Sequence, residues 1–564
     1  MTTILTQPPV AGTLTQAFED TARLFPQRGI GIYDRRGLNV DWRAYPQALA
    51  LAKDRAARLA AAGVGRGDRV LICLPTSWDL LEIYFGAIFR GAHPVLIAPS
   101  GTLGGAAAHV RKIEDLLELL APKRFICDES VRSELSEFHG KIAAEISITH
   151  TELIALNPAT ESVLHHPDPR ELAFMQLTSG STGRQRAVMI QHAAVIHNIA
   201  AMCDFLGTRP GSETEALASW LPLNHDMGLV GCLLFAIVQR MNMWLLRPDS
   251  FLARPRLWLQ VINEHRITTS PGPNFAYQLC VERLDLRELE QLDLSCWHTA
   301  ITGAEMIQPE TCRAFCEKFA AHGFRKNQLR PSYGMAEATL AVTCDRKREG
   351  ARVLPTPGGA QAGLAPREVV CVGAPVLDTD VRIGAPSAPK TFLPEGAVGE
   401  VCVKGPGVFA GYYHDAEATR ETLQDGWLRT GDLGFMQAGE LYLTGRLKDL
   451  LIIHGHNLMP HELEWVAESV SGGGGSERCG AFSVAKGVAG EQAVLVMEVG
   501  ERDSAKLALL DREIRVRIGQ SLGLPLTDLL FVKRGQIPKT TSGKIQRAEL
   551  RQRYLQSRIE RLSF

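Results

Sequence analysis

The chain has 564 residues, 45% of them hydrophobic and 22% charged, and a formal net charge of −1. That length can bury more than one apolar core and exceeds ordinary single-domain size. Its 61 basic and 62 acidic residues balance, so there is no electrostatic footprint for nucleic acid or an anionic membrane surface.

The twelve cysteines run from Cys73 to Cys479 without a Cys-x-x-Cys pair, and the closest two, Cys312 and Cys316, stand at helical spacing. This pattern indicates reduced thiols in a cytoplasmic setting, with neither a disulfide framework nor a zinc site. Residues 1–12 lack the basic-then-apolar order of a signal peptide. No stretch reaches the roughly eighteen apolar residues of a membrane span.

In chain order, residues 45–62 carry Ala and Leu at helical spacing and stop at Gly63. The apolar run 70–74, ended by Pro75, predicts a buried strand. A helix is expected over 78–90, a strand over 94–97, a helix over 110–120 and a strand over 124–127. Such alternation predicts an α/β fold, a mostly parallel sheet with helices on both faces. Two stretches have linker composition: 345–367, rich in Gly, Pro, Ala and charge, and the four glycines 472–475.

The chain is organised around Thr178-Ser179-Gly180-Ser181-Thr182-Gly183-Arg184-Gln185-Arg186. Glycines let backbone N–H groups converge on an anion, hydroxyls add donors, and Arg186 supplies fixed charge. It is not the Walker loop, which needs Gly-Lys-Ser/Thr opening a helix. The apolar runs 172–177 and 187–190 on either side predict strand–loop–strand instead. A plain Ser/Gly hairpin is the competing reading. Downstream, Trp220, His225 and Asp226 stand at a strand-to-helix turn, Thr302-Gly303-Ala304-Glu305 ends a strand, and Tyr333 precedes Glu337 by four residues. Each alone reads equally as a polar turn; three in series after the loop argue for a site.

These stretches, with Thr430-Gly431-Asp432, Gly445-Arg446-Leu447-Lys448-Asp449 and Pro538-Lys539-Thr540-Thr541-Ser542-Gly543-Lys544, resemble the ordered motifs of the adenylate-forming superfamily. That superfamily includes acyl-CoA synthetases, peptide-synthetase adenylation domains and firefly luciferase. Trp220-Leu221-Pro222, His225-Asp226-Met227-Gly228-Leu229, Pro273-Asn274-Phe275-Ala276-Tyr277 and Gly303-Ala304-Glu305 resemble its fatty acyl-AMP ligases.

The resemblance implies a large N-terminal domain over 1–446, with a smaller β subdomain and 345–367 as a candidate insertion. It implies a mobile α+β lid over 447–564, hinged near Lys448. ATP would be held by Thr178, Ser179, Gly180, Ser181, Thr182, Gly183 and Arg186 at its β- and γ-phosphates. Gly303, Ala304, Glu305, Ser332, Tyr333, Gly334 and Met335 would also bind the nucleotide, with Tyr333 stacked on the adenine and Gly303 allowing close backbone approach to it. Asp432 and Arg446 would take the ribose, Glu337 would ligate Mg²⁺, and Lys544, with His225, would serve the reacting carboxylate and α-phosphate. Met227, Phe275 and Leu279 are candidate walls of an apolar substrate pocket.

The implied reaction joins a medium- or long-chain fatty acid, or a related apolar carboxylic acid, to AMP and releases pyrophosphate. The implied acceptor is the phosphopantetheine thiol of a separate acyl carrier protein, or of a carrier domain of a polyketide or peptide synthase, since the chain ends soon after Lys544. Coenzyme A as acceptor, and an inactive nucleotide-binding scaffold, are the alternatives. Three positions depart from the pattern. Gln185-Arg186-Ala187 replaces Pro-Lys-Gly, Met306 replaces a common Pro, and His454-Gly455-His456 stands where Arg is usual.

Overall fold

The computed structural model describes residues 11–99, 106–137, 146–159, 164–179, 185–285, 287, 291–357, 368–386, 388–453, 456–470, 479–485, 491–501, 503–523, 526–539 and 544–562. The apolar run Arg69–Cys73 is a strand whose last four residues are all buried, because it lies between parallel neighbours. Val70 is opposite Pro94 on one side and Arg124 on the other. Helix Trp78–Phe89 starts where the Ser77 side chain accepts the Leu80 N–H at 3.3 Å. Every residue of it but Asp79 is buried, so it is a core helix rather than a surface one. It ends before Gly91, which takes φ +73°.

Six strands in the order Ser147–Thr149, Arg124–Cys127, Arg69–Cys73, His93–Leu96, Leu172–Ser179 and Gln185–Gln191 make the first sheet. It is parallel until its last pair, an antiparallel hairpin in which Thr178 faces Arg186. That is the expected strand–loop–strand; residues 180–184 lie outside the described residues. A nine-stranded sheet has a parallel centre of Gly29–Tyr33, Asn242–Leu245, Ala216–Ser219, Thr269–Pro273, Thr299–Gly303 and Leu329–Gly334. A third, antiparallel sheet includes Trp427–Gln437 and Glu440–Arg446.

Past the turn Leu447–Asp449 the chain builds a second unit. A sheet of Cys479–Ala485, Glu491–Glu498 and Asp528–Val532 packs with helices Pro460–Val470, Ser504–Leu522 and Arg547–Leu555. Its core joins Leu451 to Phe531 and is separate from the large core that runs from Leu14 to Leu441. The fold is thus a large α/β domain with parallel sheets and a smaller C-terminal domain. The two touch closely at Gly445, whose φ is +148° and where a Cβ would lie 2.4 Å from Met459 Sδ.

The structure corrects half of the linker reading of 345–367. Val353–Pro355 pairs antiparallel with Glu368–Val370. Arg352 donates to both carboxylate oxygens of buried Glu440, and Lys347 Nζ lies 3.0 Å from the same carboxylate. Gly- and Pro-rich composition suggested slack, but the anchoring acid is 88 residues away from Arg352. Residues 358–367 and the glycines 472–475 lie outside the described residues.

Candidate active site

Strands of both parallel sheets end on one cleft of about 2300 Å³, the place where open α/β sheets bind ligands. The large domain contributes Thr178, Arg186, His225, Gly303, Ala304, Glu305, Ser332, Tyr333, Gly334, Met335, Glu337, Asp432 and Arg446 to its walls. Lys544 and Arg547 close it from the small domain, and Lys448 lines it from the connecting turn. Ser179 pairs with Gln185 at the base of the hairpin; Gly180, Ser181, Thr182 and Gly183 lie outside the described residues.

Tyr333 anchors one end. Its hydroxyl donates to Asp432 Oδ2 at 2.6 Å, and Arg446 Nε donates to Asp432 Oδ1 at 2.9 Å. Burial, then the Asp432 charge, pushes the Tyr333 hydroxyl well above its ordinary pKa, and Asp432 raises that of Arg446. Tyr333 therefore stays protonated and Arg446 charged at neutral pH. Glycine is required beside them on packing grounds: a Cβ on Gly303 would lie 2.7 Å from the Ser332 carbonyl oxygen, and one on Gly334 only 2.0 Å from that of Leu340. The close approach at Gly303 is therefore to the neighbouring strand. Ala304 follows at φ +67°, a strained conformation for a residue with a side chain.

Glu337 is buried and accepts from the Tyr412 hydroxyl at 2.8 Å. Burial raises its pKa, and the Tyr412 hydrogen bond opposes that rise. Arg186 Nε lies 3.2 Å from Asp415 Oδ2, and its guanidinium stands 5.2 Å from the Tyr412 ring centroid. Val188 bridges to Tyr412 along the backbone, which ties the hairpin to this segment. Sequence reasoning missed Tyr412 and Asp415. The signal available was Gly411-Tyr412-Tyr413, an aromatic pair after a glycine in a loop.

His225 and Asp226 start a short helix on the wall facing Lys544, and the Gln176 side chain donates to the Asn224 carbonyl just before them. His225, Asp226 and Lys544 keep some access to water, yet protein surrounds them closely enough that desolvation rules their titration. It pulls His225 down to about 3, helped by Lys544 and Lys112, so the imidazole is neutral. It raises the pKa of Asp226, with Lys544 opposing. It lowers that of Lys544, as does Arg446, while Asp226, Glu305 and Asp432 support the ammonium. Glu305 also accepts the Phe275 N–H at 2.6 Å.

Met227, Phe275 and Met335 line an apolar part of the cleft, together with Leu340 and Phe235. Leu279, expected beside them, is buried in the large core and is not a wall of the cleft. It stands one turn along the same face of the helix Asn274–Arg283 as Phe275, and is buried where Phe275 is only half-buried. Trp220 is likewise core: its ring stacks on Phe251 at 3.8 Å.

The donor set fits a nucleotide triphosphate. An aromatic ring, a carboxylate bridged by arginine and fixed cations suit a base, a ribose and phosphates in turn. Among the described residues no three or more His, Cys, Asp or Glu side chains converge. A magnesium ion beside Glu337 would thus take most of its oxygens from phosphates. No helix among the described residues is long and apolar enough to cross a membrane, and none of the twelve cysteines is in a disulfide.

Two α/β domains, unequal in size and meeting on this cleft, are the architecture of adenylate-forming enzymes. The chain belongs to the AMP-binding enzyme family, which matches over residues 18–413. It is 33% identical to a putative acyl-CoA synthetase of Caulobacter vibrioides, over 96% of this chain and 95% of that protein. It is 32% identical to the medium-chain-fatty-acid–[acyl-carrier-protein] ligase JamA of Moorena producens, over 88% of this chain and 87% of JamA. A solved structure from a study of the fatty acyl-adenylate ligases of E. coli and L. pneumophila superposes with a TM-score of 0.88 at 32% identity. That match covers 97% of this chain and 98% of the other.

Proposed function

We propose that the chain activates a medium- or long-chain fatty acid as its acyl-AMP and passes the acyl group to the phosphopantetheine thiol of a separate acyl carrier protein, in the cytoplasm. The observation that carries this reading is a single cleft where a Tyr–Asp–Arg chain, a lysine from the second domain and an apolar wall meet. In the first step a carboxylate oxygen attacks the α-phosphorus and pyrophosphate leaves. Magnesium, when bound, neutralises phosphate charge. Desolvation and Arg446 lower the pKa of Lys544 while Asp226, Glu305 and Asp432 oppose them, and its ammonium form offers positive charge where the two anions are brought together. Neutral His225 adds no charge and can only orient a partner through hydrogen bonds. Tyr333 holds the base, Asp432 the ribose hydroxyls, and Glu337 and Arg186 the phosphate end.

In the second step a thiolate attacks the acyl carbonyl carbon and AMP leaves. The carrier reading draws support from JamA, whose name states an acyl-carrier-protein acceptor for that protein. It also draws on 345–357, which Arg352 and Lys347 pin to Glu440 on the large domain instead of leaving slack. The test supplies purified protein, ATP and fatty acid with either coenzyme A or a phosphopantetheinylated carrier. Acylated carrier with little acyl-CoA is expected. Efficient acyl-CoA formation would make the protein an acyl-CoA synthetase, and no pyrophosphate exchange with any acid would make it a scaffold.

A further inference from the structure

The helix that follows the His225-Asp226 turn is irregular. Leu229–Leu234 winds as a π-helix, a form often found beside functional sites. Five of its six residues are buried; the sixth, Gly231, is half-buried and lines the cleft. Its φ is not in the left-handed region, so the backbone does not demand glycine there. Glycine in a helix costs stability relative to alanine. Room accounts for its presence: a Cβ on Gly231 would lie 2.8 Å from Leu340 Cδ2 and 3.9 Å from Met227 Cγ. Both of those side chains line the cleft. Phe235, one turn further on, lines it as well, and so do Met202 and Phe205 on the adjacent helix His192–Leu206.

We propose that Gly231 gauges acyl chain length. Its missing side chain leaves the passage through which an aliphatic tail runs between Leu340 and Met227 toward Phe235, Met202 and Phe205. A side chain at 231, or Leu340 displaced by one, fills that passage and stops the tail early. The polar end of the cleft, where Tyr333 and Asp432 stand, is untouched. This inference rests on the reading of the cleft as a fatty-acid site.

The test is the series Gly231→Ala, Gly231→Val and Gly231→Leu, assayed for acyl-AMP formation with straight-chain acids from butyrate to the longest the wild type uses. Each methylene kept out of an apolar site loses roughly fourfold in kcat/KM. Gly231→Leu is therefore expected to lose about a hundredfold or more on the longest acid relative to butyrate, Val less and Ala least. The KM for ATP should not move. Gly231→Ala should melt no lower than wild type, since alanine is the better helix former. Leu340→Ala added to Gly231→Leu should restore part of the long-chain activity, a rescue that a purely structural role would not give. An equal loss on every acid, or an unmoved profile in a folded Gly231→Leu, overturns the gauge. A wild type that activates no straight-chain acid overturns the fatty-acid reading, and the gauge with it.

Discussion

On the large-domain side of the cleft, Tyr333, Asp432 and Arg446 are bonded to one another and Glu337 is bonded to Tyr412, so these polar atoms are satisfied before any ligand arrives. The small-domain side offers Lys544, a charge desolvated among groups that belong to the other domain. One side is a preformed grip; the other is a charge that reaches its place only through contact between two separate cores. Nucleotide binding and chemistry should then be separable by mutation.

The largest expected effect is that of Lys544→Ala. Removing a positioned charge at a transferring phosphoryl group costs on the order of 10³-fold in rate. Pyrophosphate exchange should fall by that factor while ATP affinity by equilibrium binding and the melting temperature hold. An equal loss of ATP affinity would erase the distinction between the two sides.

A second way to sharpen the comparison uses acid. His192 is buried in the large core, its Nδ1 accepts the Leu14 N–H at 3.2 Å, and burial lowers its pKa to about 4. The unfolded chain takes up a proton near pH 6.5 that the folded protein refuses until about pH 4. Stability is therefore lost as pH falls through that window, by up to about 3 kcal/mol. His192→Asn should flatten the pH dependence of the large domain's unfolding and leave that of the small domain unchanged; denaturant titrations between pH 7 and 4 measure both.

The smallest effect is expected for Asp432→Asn. It keeps the shape of the Tyr333–Arg446 bridge and removes its charge, which costs about 2 kcal/mol in a charge-assisted hydrogen bond. ATP titration should show KM raised by about thirtyfold, with the rate at saturation reduced far less. A fall in rate without a change in KM would place Asp432 on the chemical side.

The sequence was most legible where structure is local. The strand and helix rhythm from 45 to 127 is found within four residues of its expected bounds, because buried apolar runs and the stops at Gly63, Pro75 and Gly91 act on their own neighbours. The motif glycines were legible for a related reason: only glycine tolerates the backbone contacts at Gly303 and Gly334. What stayed hidden depends on partners far along the chain. Tyr412 reaches Glu337 across 75 residues, and Arg352 reaches Glu440 across 88. Nothing in the composition of 345–367 announces that bond. Leu279 failed for a subtler reason: helical spacing puts it near Phe275 in sequence, but only packing decides which of the two meets the cleft.

Gly445 carries a consequence for how the two domains fit. Its neighbours on the strand Glu440–Arg446 belong to the large domain, while the atom nearest its bare face is Met459 Sδ of the small one. Lys544 reaches the cleft only when those two surfaces meet, and at this point the clearance is narrower than a methyl group. The absence of one carbon atom thus sets the tolerance of the joint. A side chain there would act as a shim, holding a charge on one body short of a nucleotide on the other, though neither body had lost a contact of its own core.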